Sequence, residues 1–155
     1  MSTIQHILVP TDGSEISFRA AAMAGDLARA LKARVSIITV HDEQVVIPTA
    51  WSMVGMAMPD GSAFSTENVR SKIEETALAE ELAAAADAVG ELAEAPALIN
   101  LWGYPADEIC RYAKDSSTDL IVIGCYGRSG VARVLLGSVS NAVANSAPCA
   151  VTIVR

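Results

Sequence analysis

Three glycines and a serine, Gly124, Gly127, Gly137 and Ser138, stand at the spacing G-x2-G-x9-G-S directly after the apolar run Leu120-Ile-Val-Ile123. Glycine lets a backbone approach a ligand closely and adopt positive φ. Successive main-chain N–H groups in such a loop form an anion-binding nest. Ser138 opens a predicted helix, whose free N–H groups and positive dipole end favour phosphate. The hydroxyls of Ser138 and Ser140 can add donors, and Arg128 is a cation able to cover phosphates.

A second loop, Val9-Pro10-Thr11-Asp12-Gly13-Ser14, carries the other unusual residues. A carboxylate is unfavourable beside phosphate unless a metal intervenes. Asp12 therefore suits either accepting hydrogen bonds from ribose hydroxyls or helping to hold Mg²⁺. Taken singly, each residue has a plainer role: Ser138 as a helix N-cap, Asp12 as a turn former, the glycines as strand–helix turns. The joint pattern favours a nucleotide site. Other phosphate motifs fail. A P-loop needs GxxxxGK[ST], and no lysine follows Lys114; a dinucleotide fingerprint needs GxGxxG, and the early loop offers Gly13 alone. The Ser-Gly-Gly-x-Asp-Ser run of an ATP pyrophosphatase loop is also absent.

Both loops need a scaffold. Five β-rich runs are predicted as strands: His6–Pro10, Val35–Val40, Ala97–Leu101, Leu120–Gly124 and Cys149–Val154. Helical periods lie between them. Ile16, Ala20, Met23, Leu27 and Leu31 predict one buried face, and Leu78, Leu82, Ala85, Val89 and Leu92 another. Pro105 with Asp107 and Glu108 reads as a helix start, with Ile109, Cys110 and Ala113 inward. Ser138 to Ala147 forms the last helix, burying Val139, Ala142 and Val143. Near-continuous apolar strands alternating with helices mean a parallel sheet covered on both faces, a doubly wound α/β fold. Ligands of such sheets sit beyond the carboxyl ends of the strands, where the strand order reverses. If the first and fourth strands are neighbours, both loops face one crevice. Glu43 to Asn68, with Pro48, Trp51, Pro59 and three methionines, is too long for an ordinary connection and is read as a variable excursion or lid.

The bulk properties narrow the function. A chain of 155 residues is most simply one domain, spanning 1–155. A net charge of −7 disfavours binding to nucleic acid or to anionic membrane surfaces. The uncharged stretch Val134 to Val154 is interrupted by Ser138, Ser140, Asn141, Asn145, Ser146, Pro148 and Thr152, so a helix followed by a strand fits it better than a membrane span. The N-terminus has no secretory pattern, and three scattered cysteines fit a reduced, cytoplasmic setting.

The G-x2-G-x9-G-[S/T] pattern matches, position for position, the ATP-binding signature of the universal stress protein family. The chain also resembles that family at Val9-Pro-Thr-Asp12, Gly103-Tyr-Pro105, Asp119-Leu-Ile-Val-Ile-Gly124, Gly127-Arg-Ser-Gly130 and Ala147-Pro-Cys149. The similarity covers nearly everything except Glu43 to Asn68. It implies a Rossmann-like sheet of five strands in the order 3-2-1-4-5, binding ATP or another adenine nucleotide. It implies Asp12 at the ribose, the backbone of Val40 at adenine, and Gly127, Gly137, Ser138, Val139 and Ser140 at the phosphates, with Pro10, Thr11, Gly124 and Arg128 completing the site. It also implies a homodimer through the last strand, Cys149–Val154, whose open edge invites a partner strand. Cys125-Tyr126 departs from the family's common Ser-His. Cys125 is left as either a reactive thiol or a packed side chain, and Tyr126 as a residue that narrows the phosphate loop or covers the nucleotide.

Hydrolysis needs an activated water and stabilisation of developing charge. His41-Asp42 is the one His–acid neighbour pair, and the resemblance puts it near adenine. Nucleotide binding with slow or negligible hydrolysis is expected, the protein acting as a nucleotide-dependent regulator of a stress response. A weak Mg-dependent ATPase and a nucleotide-free dimeric module are the alternatives.

Overall fold

The computed structural model describes residues 4–41, 66–127 and 136–155. Its elements run β1 (His6–Pro10), α1 (Glu15–Leu31), β2 (Arg34–His41), α2 (Thr66–Val89), β3 (Ala97–Trp102), α3 (Pro105–Asp115), β4 (Leu120–Gly124), α4 (Ser138–Ser146) and β5 (Ala150–Val154). The sheet has the order β3-β2-β1-β4-β5 and is parallel throughout. The central strands β1 and β4 are buried along their whole length, and Ile7 and Leu8 pair with Leu120 and Ile121. Such double-sided burial is why these strands are continuously apolar rather than alternating.

Alternate residues serve two cores, as the period of two requires. Ile7, Val9, Val35, Ile37 and Val122 pack beneath α1 and α2. Leu8, Ile38, Ile121 and Ile123 pack beneath α3 and α4 with Ile109, Ala113 and Val143. Among the described residues no helix is long and apolar enough to cross a membrane.

Helix α1 corrects one expectation. Met23 and Leu31 do not face the core; they are 42% and 38% exposed. Ile16 and Ala20 are buried as expected, and Ala21, Ala24, Gly25 and Ala28 take the inward positions beside them. Close packing against α2 is the reason. A Cβ on Gly25 would stand 2.0 Å from the Val89 carbonyl oxygen, so only small residues fit the crossing. Arg29 seals it, its Nη1 donating to the carbonyls of Val89 (2.9 Å) and Glu91 (3.3 Å) where the helix leaves orphan acceptors.

In α2, Leu82, Ala85 and Val89 are buried as their spacing predicts. The helix also takes in residues 66–68, which the sequence places in the excursion. The rest of that excursion lies outside the described residues. Helix α3 starts at Pro105, with Asp107 and Glu108 in its first turn.

Candidate functional site at the carboxyl end of the sheet

Because β1 and β4 are neighbours, the loops that follow them share one crevice. It forms a pocket of about 360 Å³, large enough for a small-molecule ligand. Pro10, Thr11, Asp12, Val40, Gly124, Gly127, Gly137, Ser138, Val139 and Ser140 all line it. Arg128 lies outside the described residues.

The loop after β1 is held by its own hydrogen bonds. The buried Thr11 donates its N–H to the Ile38 carbonyl at 2.9 Å, and its hydroxyl lies 3.0 Å from that of Ser17. Ser14 caps α1, its hydroxyl oxygen accepting from Ser17 N at 3.3 Å. The same hydroxyl donates to Asp12 Oδ1 at 2.5 Å, and Ser14 N donates there at 3.1 Å. The carboxylate is thus fixed beside the positive end of α1. Its Oδ2 reaches toward the other loop: a Cβ on Gly127 would stand 2.5 Å from it.

The loop after β4 closes on the carbonyl of Cys125, which accepts from Gly137 N (2.6 Å) and from the Ser140 hydroxyl (2.9 Å). Gly137 caps α4 with extended backbone. It is glycine for space, since a Cβ would come within 3.1 Å of Tyr126 Cα. The first helical bond runs from Asn141 N to the Gly137 carbonyl. The N–H groups of Ser138, Val139 and Ser140 therefore emerge from the helix end without intrahelical acceptors. All three residues line the pocket, so what the helix offers a ligand is main-chain N–H.

Ser140 differs from expectation in its side chain. It is buried, and its single hydroxyl hydrogen is shared between the Cys125 and Gly137 carbonyls, at 2.9 and 3.0 Å. That hydroxyl braces the loop; the residue's contribution to a ligand is its N–H. Cys125 is buried, which decides for packing over an exposed thiol. Burial pushes the Cys110 and Cys149 thiols up, away from the reactive thiolate. Tyr126 lines the pocket and is part-exposed at its mouth.

Sequence reasoning missed the apolar wall made by Ile38, Pro105, Ile109 and Ile123, together with Ser17 and Leu136. The strand order carries the missing signal, since it sets the carboxyl end of β2 and the start of α3 beside β1. His41 is absent from the lining, and its ring packs on Trp102 with centroids 5.1 Å apart. Among the described residues no group of three or more His, Cys, Asp or Glu side chains could hold a metal ion.

Comparison with known proteins agrees with this architecture. The profile of the universal stress protein family matches residues 3–155. A universal stress protein of Bacillus subtilis is 35% identical over 150 residues, covering 96% of this chain and 97% of its own. The solved UspA of Lactobacillus plantarum superposes with a TM-score of 0.71 at 25% identity, with complete coverage of both chains. A universal stress protein solved in complex with cAMP gives a TM-score of 0.65 at 28% identity, covering 99% of each chain.

Proposed function

The chain belongs to the universal stress protein family, and on that footing we propose that its pocket binds an adenine nucleotide, with ATP as the physiological ligand. One observation carries the proposal. Every described residue that the sequence pattern assigned to a nucleotide lines the same pocket, although the two loops lie more than a hundred residues apart in the chain. The cAMP held by a relative of the same fold supports an adenylate as the ligand class.

The chemistry of the wall fits. Ile38, Val40, Pro105 and Ile109 suit the faces of a purine, and the N–H groups at the start of α4 suit phosphate oxygens. Asp12 accepts from ribose hydroxyls. Mg²⁺ commonly binds through one or two carboxylates plus substrate phosphates, and Asp12 is the carboxylate among the described lining residues. Asp12 and Tyr126 are the titratable side chains among the described lining residues. Among the described lining residues no histidine or glutamate stands to activate water, and occupancy rather than turnover is the proposed signal. A dimer through the edge strand β5 would carry that signal to a partner.

The test is extraction of nucleotide from the purified protein, identification by mass spectrometry, and calorimetric titration with ATP, AMP and cAMP. Retained or tightly bound adenylate is the expected result. No adenylate in the extract, and no binding at millimolar concentration, overturns the proposal. Sedimentation of the protein with and without nucleotide tests the dimer.

A further inference from the structure

Among the described residues that line the pocket, the hydroxyl-bearing side chains are Thr11, Ser17, Ser138, Ser140 and Tyr126. The first two and Ser140 are spent on the fold. The Ser17 hydroxyl donates to the Ser14 carbonyl at 2.8 Å and stands 3.0 Å from that of Thr11, so the Thr11 hydrogen goes to Ser17. The Ser140 hydrogen is shared between the Cys125 and Gly137 carbonyls. The hydroxyls of Ser138 and Tyr126 make no hydrogen bond within the described residues. Ser138 already belongs to the phosphate end of the site; Tyr126 is the additional donor. Resting on the reading of the pocket as an adenine-nucleotide site, we propose that the Tyr126 hydroxyl donates to the phosphate next to the ribose and sets the pocket's preference for a phosphorylated nucleoside over the bare nucleoside.

The neighbours of Tyr126 fix which phosphate it meets. Its Cα lies 3.1 Å from where a Cβ on Gly137 would stand, so it abuts the N-cap of α4. The residue after it, Gly127, faces Asp12 Oδ2. Tyr126 thus lies between the acid assigned to ribose and the amides assigned to phosphates. In a nucleotide the group joining those two parts is the 5′-phosphate. The peptide before Tyr126 is pinned on both sides of Cys125, whose N donates to the Val154 carbonyl at 2.7 Å and whose carbonyl accepts from Gly137 N at 2.6 Å. A main chain held in this way leaves little to order on binding.

The charge of the pocket gives a neutral donor its value. No lysine, arginine or histidine is among the described lining residues, and Asp12 contributes a carboxylate. Phosphate is then met by N–H and O–H dipoles. A hydrogen bond to an ionised acceptor is about twice as strong as one between neutral groups. A bare nucleoside presents only a neutral 5′-hydroxyl at that point and gains correspondingly less.

The experiment is calorimetric titration of the parent protein and of Tyr126→Phe with adenosine, AMP and ATP, in buffer free of Mg²⁺. Phenylalanine keeps the ring and removes a hydroxyl without a partner in the described fold, so the urea midpoint should not move. AMP and ATP share the inner phosphate and should both lose affinity by roughly tenfold or more, while adenosine changes by less than about twofold. Unchanged affinity for AMP overturns the proposal. So does an equal loss for adenosine, which would make the phenol a contact to the nucleoside, or a loss confined to ATP, which would put it at the outer phosphates. A lowered urea midpoint would show the hydroxyl bonded within the fold and overturns it as well. In each of these cases the parent still binds, and the pocket remains a nucleotide site. If the parent binds no adenylate at millimolar concentration, that reading has failed and the role of Tyr126 falls with it.

Discussion

Asp12 and Gly127 meet across the pocket: the Asp12 Oδ2 atom lies 2.5 Å from where a Cβ on residue 127 would stand. Ser14 pins the other carboxylate oxygen, so Asp12 cannot swing away freely. The glycine after β4 and the acid after β1 are parts of one device.

Gly127→Val should therefore displace the carboxylate and crowd the pocket between the two loops. ATP affinity should fall by roughly tenfold or more, about 1.4 kcal/mol per decade. Titration calorimetry measures the loss, and an unchanged far-UV spectrum shows that the sheet is intact. Unaltered affinity would remove the loop from the site.

Asp12→Ala separates ribose from metal. If the carboxylate accepts from ribose hydroxyls, AMP and ATP should lose affinity alike, by about 1.5–3 kcal/mol, the worth of a hydrogen bond to a charged group. The loss should persist without Mg²⁺. A defect confined to Mg·ATP would make Asp12 a metal ligand instead.

Gly25→Ala tests the helix crossing. The new methyl would stand 2.0 Å from the Val89 carbonyl oxygen, and that atom belongs to main chain. Overpacking of this kind costs about 1–3 kcal/mol. Urea titration should show a lower midpoint with little change in slope, whereas Met23→Ala, on the exposed flank, should change it far less.

Stability should decline with acid in two stages. His6 has a folded value below its unfolded one, so between the two the unfolded chain binds the extra proton. Stability is then fully present above about pH 6.5 and falls as pH drops from there. Hydrogen bonds from Gln5 N and His6 N lower Asp119 in the same sense, adding a second loss below about pH 4. Denaturant midpoints measured across this range should show both stages, and His6→Gln should keep only the lower one.

The glycine loop after β4 was legible as a wall of the pocket because its glycines sit at fixed distances in one stretch of chain, and the strands because their apolar runs are unbroken. The inward face of α1 was not. Ranking by hydrophobicity puts Met23 and Leu31 inside, but the close approach of α2 admits only alanine and glycine, and that constraint resides in another helix. The Ser140 hydroxyl was ambiguous for a local reason. At a helix start it can turn to a ligand or back to the preceding strand, and the Cys125 carbonyl wins it. The buried His6 contacts with Ser36 and Ser116 were not legible, because those partners lie 30 and 110 residues away.

Cys125 gives its carbonyl to Gly137 and Ser140 and its N–H to the Val154 carbonyl at 2.7 Å. One peptide unit on each side of that α-carbon therefore yokes the head of α4 to the tail of β5. On the Cys125 side the yoke is written in backbone, so the side chain at this position can change within its packing volume and leave the linkage whole. The joint is accordingly best followed by amide-level spectroscopy, with Ser140→Ala as a side-chain truncation that reaches it.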